Sequence, residues 1–345
     1  MPEEIGIREL LSSLDAWQIV DVRSPSEFAQ GHIKGAVNLP LFDDEERARV
    51  GTLYKQESPQ AAMAEGLRIA GAKMKEMAAT GLKLSQDSKK RLLVHCWRGG
   101  KRSEAVEWLL KFTGAEVKRL GGGYKSFRTE LQAFFHKNNF KFNIIGGYTG
   151  AGKTEILHSL RRKGEQVIDL EGMAHHKGSA FGAIGEEDQP STEQFENDLY
   201  MDMLTLNPRR VVWLENESKN IGRVYLPEGF WRKMRNSDLY VVEVDKEIRL
   251  DRVMQYYTAP FNKDELKSAF DKIQKRLGGL EYKLAIQALD NSDLRTAAAI
   301  ALTYYDKSYE FQLSQWPADK VIKVEGCDDI CEAAEQLVEL HAHKI

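Results

Sequence analysis

Cys96 lies where a cysteine can act as a nucleophile. An apolar run over residues 92–95 leads into it, and a basic loop and a predicted helix follow it. The loop consists of Trp97, Arg98, Gly99, Gly100, Lys101, Arg102 and Ser103. Its cations, its glycine-rich backbone and the helix N-terminus all favour the thiolate over the thiol. The pattern therefore predicts a catalytic thiolate held in an anion-binding loop.

A second anion-binding loop spans residues 147–154, which read Gly-Tyr-Thr-Gly-Ala-Gly-Lys-Thr. This is a complete G-x-x-x-x-G-K-T phosphate loop, with a predicted strand over 140–145 before it and a helical pattern after it. The residues predicted to bind a diphosphate are Gly147, Gly150, Gly152, Lys153 and Thr154. The lysine would reach the terminal phosphates, and the threonine hydroxyl suits Mg²⁺.

Two carboxylates are candidates to complete a Mg²⁺ site with Thr154. Glu215 ends a predicted apolar strand over 211–215, and Asp169 lies in a predicted strand over 166–170. The carboxyl end of a parallel strand lies at the sheet edge where phosphates bind. We therefore expect Glu215, with Asp169 as the second choice, to share a Mg²⁺ ion with Thr154.

Other polar residues of the second half leave two interpretations open. His175 and His176 lie in a polar, glycine-rich segment, so that one of them is a general base or both belong to a surface loop. Arg249 and Arg252 share a predicted helix over 246–256. They either clamp a phosphate or form a solvated face, and the pattern favours neither.

Two α/β domains are needed to position these residues, over 1–139 and 140–345. The first is predicted to have strands at 18–22, 36–39 and 92–95, helices at 103–112 and 125–135, and an inserted helix at 61–79. The second has further strands at 239–244 and 321–324 and helices at 191–206 and 330–341. It also carries helical additions over 264–306, interrupted at Gly278-Gly279.

Charge and cysteine content restrict the class of protein. Residues 1–139 hold 22 Lys and Arg against 18 Asp and Glu, whereas 140–345 hold 27 against 34, which agrees with the net charge of −3. Any nucleic-acid surface must therefore be a local patch. Cys96, Cys327 and Cys331 form no disulfide framework and predict a reducing, cytoplasmic location. We expect no structural metal site and no membrane span.

The Cys96 loop and an upstream segment resemble the rhodanese-like sulfurtransferases, in which the cysteine carries a chalcogen as a persulfide. The upstream match begins with Asp21-Val22-Arg23 and continues to Pro40. We expect Asp21 and Arg23 to be structural ion partners. Five residues separate Cys96 from Arg102, where sulfurtransferases commonly have four. The longer spacing is similar to that of dual-specificity phosphatases and predicts room for phosphate or a group bulkier than sulfur.

The fusion of this loop to a phosphate loop resembles the bacterial tRNA 2-selenouridine synthases over nearly the whole chain. The resemblance implies a P-loop NTPase-like second domain and an enzyme that acts on wobble 2-thiouridine in tRNAs for Lys, Glu and Gln. It implies geranylation of the sulfur by geranyl diphosphate, then replacement of S-geranyl by selenium from selenophosphate, which a selenophosphate synthase supplies. Cys96 would hold selenium as a selenyl sulfide. No tightly bound cofactor is implied, and we expect a monomer.

Three points stay open in the sequence. Basic residues that could steer tRNA phosphates are Lys89, Lys90, Arg91, Lys118, Arg119, Lys125 and Arg128. The sequence does not locate the apolar pocket that a prenyl chain needs. The alternatives are an ATP-dependent tRNA or sulfur-carrier thiotransferase, or a phosphatase-like protein with Asp43 or Asp44 as general acid near Cys96.

Overall fold

The computed structural model describes residues 4–256, 262–325 and 328–344. Cys327, one of the three cysteines, lies outside the described residues. The chain divides into two compact units. The N-terminal unit comprises Met1–Phe134 with Glu196–Met201, and the C-terminal unit comprises Phe135–Phe195 with Asp202–Ile345. The boundary expected between residues 139 and 140 stays a prediction.

A five-stranded, all-parallel sheet forms the middle of the N-terminal unit, in the order β1-β5-β4-β2-β3. Its strands are β1 (Glu4–Ile5), β2 (Trp17–Asp21), β3 (Val37–Asn38), β4 (Arg91–His95) and β5 (Val117–Leu120). The helices are α1 (Ile7–Leu11), α2 (Pro25–Gln30), α3 (Asp44–Gln56), α4 (Pro59–Ser88), α5 (Lys101–Phe112) and α6 (Gly123–Lys137). The three strands and two core helices predicted here are confirmed within a few residues.

The inserted helix predicted at 61–79 is part of the longer α4. Ser58 caps its N-terminus through the Ala61 amide, and Pro59 occupies the first turn, where no amide is needed. Gly81 allows α4 to approach α5 closely, because a Cβ there would collide with Leu110. Helix α3, which the sequence reading missed, begins at a capping box formed by Asp43 and Glu46.

The C-terminal unit has a second five-stranded parallel sheet, in the order β12-β11-β6-β8-β7. Its strands are β6 (Lys141–Gly146), β7 (Gln166–Val167), β8 (Val211–Glu215), β11 (Asp238–Val242) and β12 (Val321–Val324), and β9 (Asn220–Ile221) pairs with β10 (Val224–Tyr225) as a hairpin. The helices are α7 (Lys153–Arg162), α8 (Leu170–Ala174), α9 (Thr192–Leu204), α10 (Glu228–Arg235), α11 (Lys246–Tyr256), α12 (Lys263–Leu277), α13 (Gly279–Asp290), α14 (Leu294–Ser314) and α15 (Ile330–Ala342). Residues Glu196–Met201 of α9 are counted with the N-terminal unit.

Helices α12–α14 are the predicted helical addition, with a break at Gly278 and a second, unpredicted break at 291–293. Their facing sides form a separate apolar core that includes Phe181, Phe270 and Leu289. The strand predicted at 166–170 is wrong beyond Val167, because Asp169 caps a short helix instead. The α/β fold class of both halves is confirmed. Among the described residues, no helix is long and apolar enough to cross a membrane.

Candidate active site: the Cys96 loop and the phosphate loop

Cys96 directly follows β4, the middle strand of the N-terminal sheet, and the loop leads into the N-terminus of α5. The cysteine is only 4% exposed. Its Sγ lies 3.3 Å from the Oγ of Ser103, which is fully buried. The Ser103 hydroxyl also lies 2.9 Å from the Gly100 carbonyl oxygen. The sulfur is therefore held in a fixed environment with a hydroxyl beside it.

The backbone of the loop is shaped for an anion. In the described part of the chain, the amides of residues 97–100 donate to no acceptor. Gly99 has φ +69°, and a Cβ there would lie 2.8 Å from the Leu120 carbonyl oxygen. The outer side of the loop is fixed by the Tyr124 and Lys125 amides, which donate to the carbonyls of Cys96 and Trp97 at 2.9 Å. Successive free amides of this kind form an anion-binding concavity.

The three cations of the loop have different surroundings. Arg102 donates to both carboxylate oxygens of Glu27, at 2.6 and 3.3 Å. Burial alone would raise the pKa of Glu27, but the hydrogen bond and charge of Arg102 outweigh it and lower the pKa. Lys101 pairs with Glu104 at 2.9 Å. Arg98 is exposed and has no carboxylate partner in the described chain. Thus Arg98 is the cation that is free to meet an incoming anion.

Asp21 and Arg23 are buried ion partners, as the sequence predicts. The Arg23 guanidinium donates to Asp21 at 2.6 Å and to the Gly31 carbonyl at 2.6 Å, and it lies over the Tyr124 ring. His95 Nε2 lies 3.8 Å from Asp21. Burial lowers the pKa of His95, although the Asp21 carboxylate opposes the shift. This network positions the strand ends beneath the loop.

Four of the seven basic residues considered for tRNA phosphates are engaged within the N-terminal unit. Arg119 is only 4% exposed and pairs with Glu4 at 2.6 Å and Glu104 at 2.9 Å. Arg91 and Lys118 lie over the Trp17 ring, and Arg128 pairs with Glu196. The buried Arg119 cannot serve as a surface contact. Lys89, Lys90 and Lys125 are exposed.

The two proposed phosphatase acids also have other partners. Asp43 caps α3, and Asp44 accepts hydrogen bonds from the Ser26 amide and hydroxyl. The hydroxyl bonds from Ser26 and Ser24 lower the pKa of Asp44. A general acid must hold its proton near neutral pH, so this shift is opposite to the one that the role requires.

The phosphate loop follows β6, the middle strand of the C-terminal sheet, and precedes α7. Gly150 and Gly152 have φ +81° and +84°. A Cβ on Gly150 would lie 2.6 Å from the Arg249 carbonyl oxygen, so the loop backbone packs where a side chain cannot fit. Lys153 Nζ donates to the Gly147 carbonyl at 3.3 Å, which curls its side chain back over the loop.

Arg249 and Arg252 support the backbone of the loop and do not form a solvated face. Arg249 is buried, donates to the Thr149 carbonyl at 3.1 Å and pairs with Asp306 at 2.9 Å. Arg252 donates to the Ala151 carbonyl at 2.9 Å. Both arginines therefore hold carbonyls of the loop, and the interpretation that they bind a phosphate stays a prediction.

Thr154 contacts a carboxylate that the sequence reading did not select. Its Oγ1 donates to Glu171 at 3.1 Å. Glu215 is fully buried and accepts from the Glu171 amide at 2.7 Å, while its second oxygen has no partner in the described chain. Burial, followed by the charges of Glu171 and Asp169, raises the pKa of Glu215 to about 8. Burial also raises the pKa values of Glu171 and Glu217.

Asp169 caps α8 and lines the cavity at the phosphate loop, and its role as a Mg²⁺ ligand stays a prediction. It accepts from the Gly172 amide at 2.7 Å and from His158 at 3.1 Å. Asp is one of the residue types preferred at a helix N-cap, which is the one signal that could have suggested α8 from the sequence. Within the described residues, no group of three or more His, Cys, Asp or Glu is placed to hold a metal ion.

The adjacent histidines differ in environment. His175 ends α8 with φ +50° and is half-buried, whereas His176 is buried and its Nδ1 has no partner in the described chain. Burial lowers the pKa of His176, which favours the neutral ring. His176 lines the cavity described next, and His175 does not.

A cavity of about 470 Å³ begins at the phosphate loop. At one end it is lined by Lys153, Thr154 and Glu171. Polar residues also line it, namely Lys177, Ser179, Glu186, Asn216, Glu217, Ser218, Ser308 and Gln312. An apolar side comes from the loop before α9 and from α11–α14. The apolar lining consists of Phe181, Ile184, Val253, Met254, Leu266, Phe270, Leu289, Leu294, Ala297, Ala298, Ala301 and Leu302. An anion site thus opens into a hydrocarbon-lined space within one unit, a feature no local motif could have shown.

Both halves of the chain match families of known proteins. Residues 7–130 match the model of the rhodanese-like domain, and residues 140–340 match the model described as the tRNA 2-selenouridine synthase AAA domain. A tRNA 2-selenouridine synthase of Sulfurovum sp. is 35% identical, with 91% of this chain and 93% of that protein covered. The synthase of Nitrosomonas europaea is 33% identical, with 84% of each chain covered. The chain therefore belongs to the tRNA 2-selenouridine synthase family.

Proposed function

We propose that this enzyme converts wobble 2-thiouridine in tRNA to 2-selenouridine through an S-geranylated intermediate. The observation that carries the proposal is the cavity, because it joins an anion site to an apolar side. The anion site has Lys153 and the phosphate-loop amides, which, apart from that of Ala151, donate to no backbone acceptor in the described chain. A nucleoside needs polar partners for its ribose and base, whereas an allylic diphosphate needs an anion site and a hydrocarbon pocket. The shape and chemistry of this cavity favour the second ligand.

In the first step, the thiocarbonyl sulfur attacks C1 of geranyl diphosphate. The S–C1 bond forms, the C1–O bond breaks, diphosphate leaves with the bonding electrons, and the base loses its N3 proton to solvent. The loop amides and Lys153 stabilise the negative charge that develops on the leaving diphosphate. Alkylation matters because the sulfur can then leave as a thiolate, which is a better leaving group than sulfide.

In the second step, Cys96 is the nucleophile toward selenophosphate, and selenium replaces the S-geranyl group. The free amides of residues 97–100 and the unpaired Arg98 would hold the phosphate part of the donor. We further propose the tRNAs for Lys, Glu and Gln as acceptors and a selenophosphate synthase as the source of the donor. A monomeric state and a cytoplasmic location stay predictions.

The residues near Thr154 fit Mg²⁺. The Thr154 hydroxyl and the Glu171 carboxylate offer hard oxygen ligands, and the second oxygen of Glu215 is buried without a partner in the described chain. Thr154 and Glu171 would hold the ion together with diphosphate oxygens. Bound there, Mg²⁺ would neutralise charge on the departing diphosphate.

The test is reconstitution with purified protein and 2-thiolated tRNA, followed by mass spectrometry of the nucleosides. Geranyl diphosphate alone should give geranylated 2-thiouridine, and addition of selenophosphate should convert it to 2-selenouridine. If the protein instead hydrolyses ATP in a Lys153-dependent reaction and gives no geranylated nucleoside, the ATP-dependent thiotransferase is the better description.

A further inference from the structure

The Cys96 loop has the construction expected for a phosphoryl group. The four amides that follow the sulfur donate to no acceptor in the described chain, and α5 begins immediately after them. The loop is one residue longer than the common sulfurtransferase loop, because five residues lie between Cys96 and Arg102. Bidentate pairing with Glu27 fixes the Arg102 guanidinium at the far end of the loop. Such a loop has more donors than a single selenium atom requires.

Electron balance separates two reactions of Cys96 with selenophosphate. Selenium is at the selenide level both in selenophosphate and in 2-selenouridine. A selenyl sulfide on Cys96, which the family resemblance implies, contains selenium that has lost electrons. Its formation requires phosphorus to leave as phosphite or an added oxidant, and its discharge onto the base requires a reducing thiol. The proposed reaction contains no oxidant, and its only thiol is the released geranylthiolate, which would reduce the selenyl sulfide only by leaving Cys96 as a mixed disulfide.

We propose that Cys96 attacks the phosphorus of selenophosphate and releases hydrogen selenide next to the site. The S–P bond forms, the P–Se bond breaks, and HSe⁻ leaves with the bonding electrons. HSe⁻ then adds to C2 of the geranylated base, the C2–S bond breaks, geranylthiolate leaves, and the selenium-bound proton moves to N3. Water hydrolyses the S-phosphocysteine to phosphate and the Cys96 thiolate. No electrons are gained or lost overall, and the inference rests on the proposed function.

The residues around the sulfur suit both the formation and the hydrolysis of the S–P bond. The amides of residues 97–100 and the Arg98 guanidinium can bind the three phosphoryl oxygens, whose charge dominates such transfers. Ser103 Oγ lies 3.3 Å from Sγ, and its hydroxyl, which donates to the Gly100 carbonyl at 2.9 Å, can turn to donate to the thiolate when the S–P bond breaks. Cys96 is 4% exposed, so its thiolate is largely shielded from bulk solvent. Each group therefore has a role that the transfer of a bare selenium atom does not explain.

The test uses full-length enzyme and selenophosphate labelled separately with ³²P and ⁷⁵Se. Two radiolabels are required because a phosphoryl group and a selenium atom add nearly the same mass to a peptide. The reactions are stopped within milliseconds to seconds by denaturant at neutral pH without reductant, and the Cys96 peptide is isolated. We expect ³²P on Cys96 and ⁷⁵Se in solution as selenide, which a thiol-alkylating reagent captures.

Variants test whether Cys96 is the residue that carries the ³²P label. Cys96→Ser should carry neither label, whereas Cys331→Ser, which alters an exposed free cysteine, should label as the wild type does. Ser103→Ala should retain ³²P longer, because it loses the hydroxyl that stabilises the departing thiolate. Circular dichroism checks that each variant is folded, and labelling of the wild type does not depend on any variant.

The outcomes separate this inference from the proposed function. If ⁷⁵Se stays on Cys96 and ³²P appears in solution as phosphite, the phosphocysteine is wrong while Cys96 remains the selenium acceptor. If neither label reaches Cys96 although geranylated tRNA is selenated, covalent attack at phosphorus is wrong. If geranylated tRNA is not selenated at all, the proposed function itself fails.

Discussion

The Cys96 loop and the phosphate loop use the same backbone arrangement with different side chains. Each follows the middle strand of a five-stranded parallel sheet, and each runs into a helix N-terminus with a series of free amides. The first places a buried sulfur beside the amides, and carboxylates engage two of its three cations. The second has no nucleophile, but it has Lys153, Thr154 and an attached apolar cavity. The comparison indicates covalent chemistry in one loop and leaving-group stabilisation in the other.

Replacing the nucleophile should separate the two activities most strongly. For Cys96→Ser we expect selenation to fall by about 10³-fold or more, because the hydroxyl is a much weaker nucleophile than a thiolate. Geranylated 2-thiouridine should accumulate, since its formation does not use Cys96. Nucleoside mass spectrometry measures both products, with Cys331→Ser as the matched control. Equal loss of geranylation would show that the loops do not divide the chemistry in this way.

The converse variant is Lys153→Ala. We expect geranylation to fall by roughly 10²-fold, because a preorganised cation that stabilises developing charge contributes on this scale. Selenation of tRNA that has already been geranylated should be unchanged. Lys163→Ala, at the end of α7 where the lysine pairs with Glu335, is a control that leaves the loop intact. Slower selenation of pre-geranylated tRNA in Lys153→Ala would contradict separate roles.

The sequence predicted the parts of both sites that are encoded locally. The apolar strands and the glycine and charge patterns of residues 96–103 and 147–154 are continuous in the chain, so their elements could be predicted. The pairing of Arg102 with Glu27 joins residues 75 positions apart and has no local signal. The contact between Glu171 and Thr154 was missed for a different reason, because residues 166–170 were predicted to be one strand. The capping role of Asp169 breaks the strand and brings the Glu171 carboxylate to Thr154.

The buried groups near the two loops should respond to pH with opposite signs. Burial lowers the pKa of His95 below its unfolded value, so its contribution to stability is present above about pH 6.5 and is lost as the pH falls. Glu215 has a raised pKa of about 8, so the folded state binds more protons than the unfolded state, and stability is lost between about pH 4.5 and 8 as the pH rises.

Calorimetry of full-length variants in chelator tests these signs. Relative to the wild type, Glu215→Gln should gain about 2 kcal/mol more stability at pH 8 than at pH 5, because the amide needs no proton to stay neutral. His95→Gln should instead gain more stability, relative to the wild type, at pH 5 than at pH 8. Changes of the same sign in both variants would contradict the contrast between a buried histidine network and buried carboxyls.

The smallest expected effect concerns the cavity at the phosphate loop. Ala298 of α14 lines the cavity, whereas the next residue, Ala299, faces a separate groove with Lys246 and Thr303. Ala298→Leu should reduce the preference for geranyl over the shorter dimethylallyl diphosphate by about tenfold, since added methyl groups change pocket binding by about 1–3 kcal/mol. Ala299→Leu should not change it.

An enlarged cavity should give the opposite result. Ile184→Ala removes part of the wall and should improve use of the longer farnesyl diphosphate, with KM as the main readout because the reacting carbons do not change. Ile184 is only partly buried, so the fold should tolerate its truncation. If both cavity variants and Ala299→Leu leave the order of donors unchanged, the apolar wall does not bind the prenyl chain. The assignment of geranylation to the phosphate loop would then depend on its diphosphate site alone.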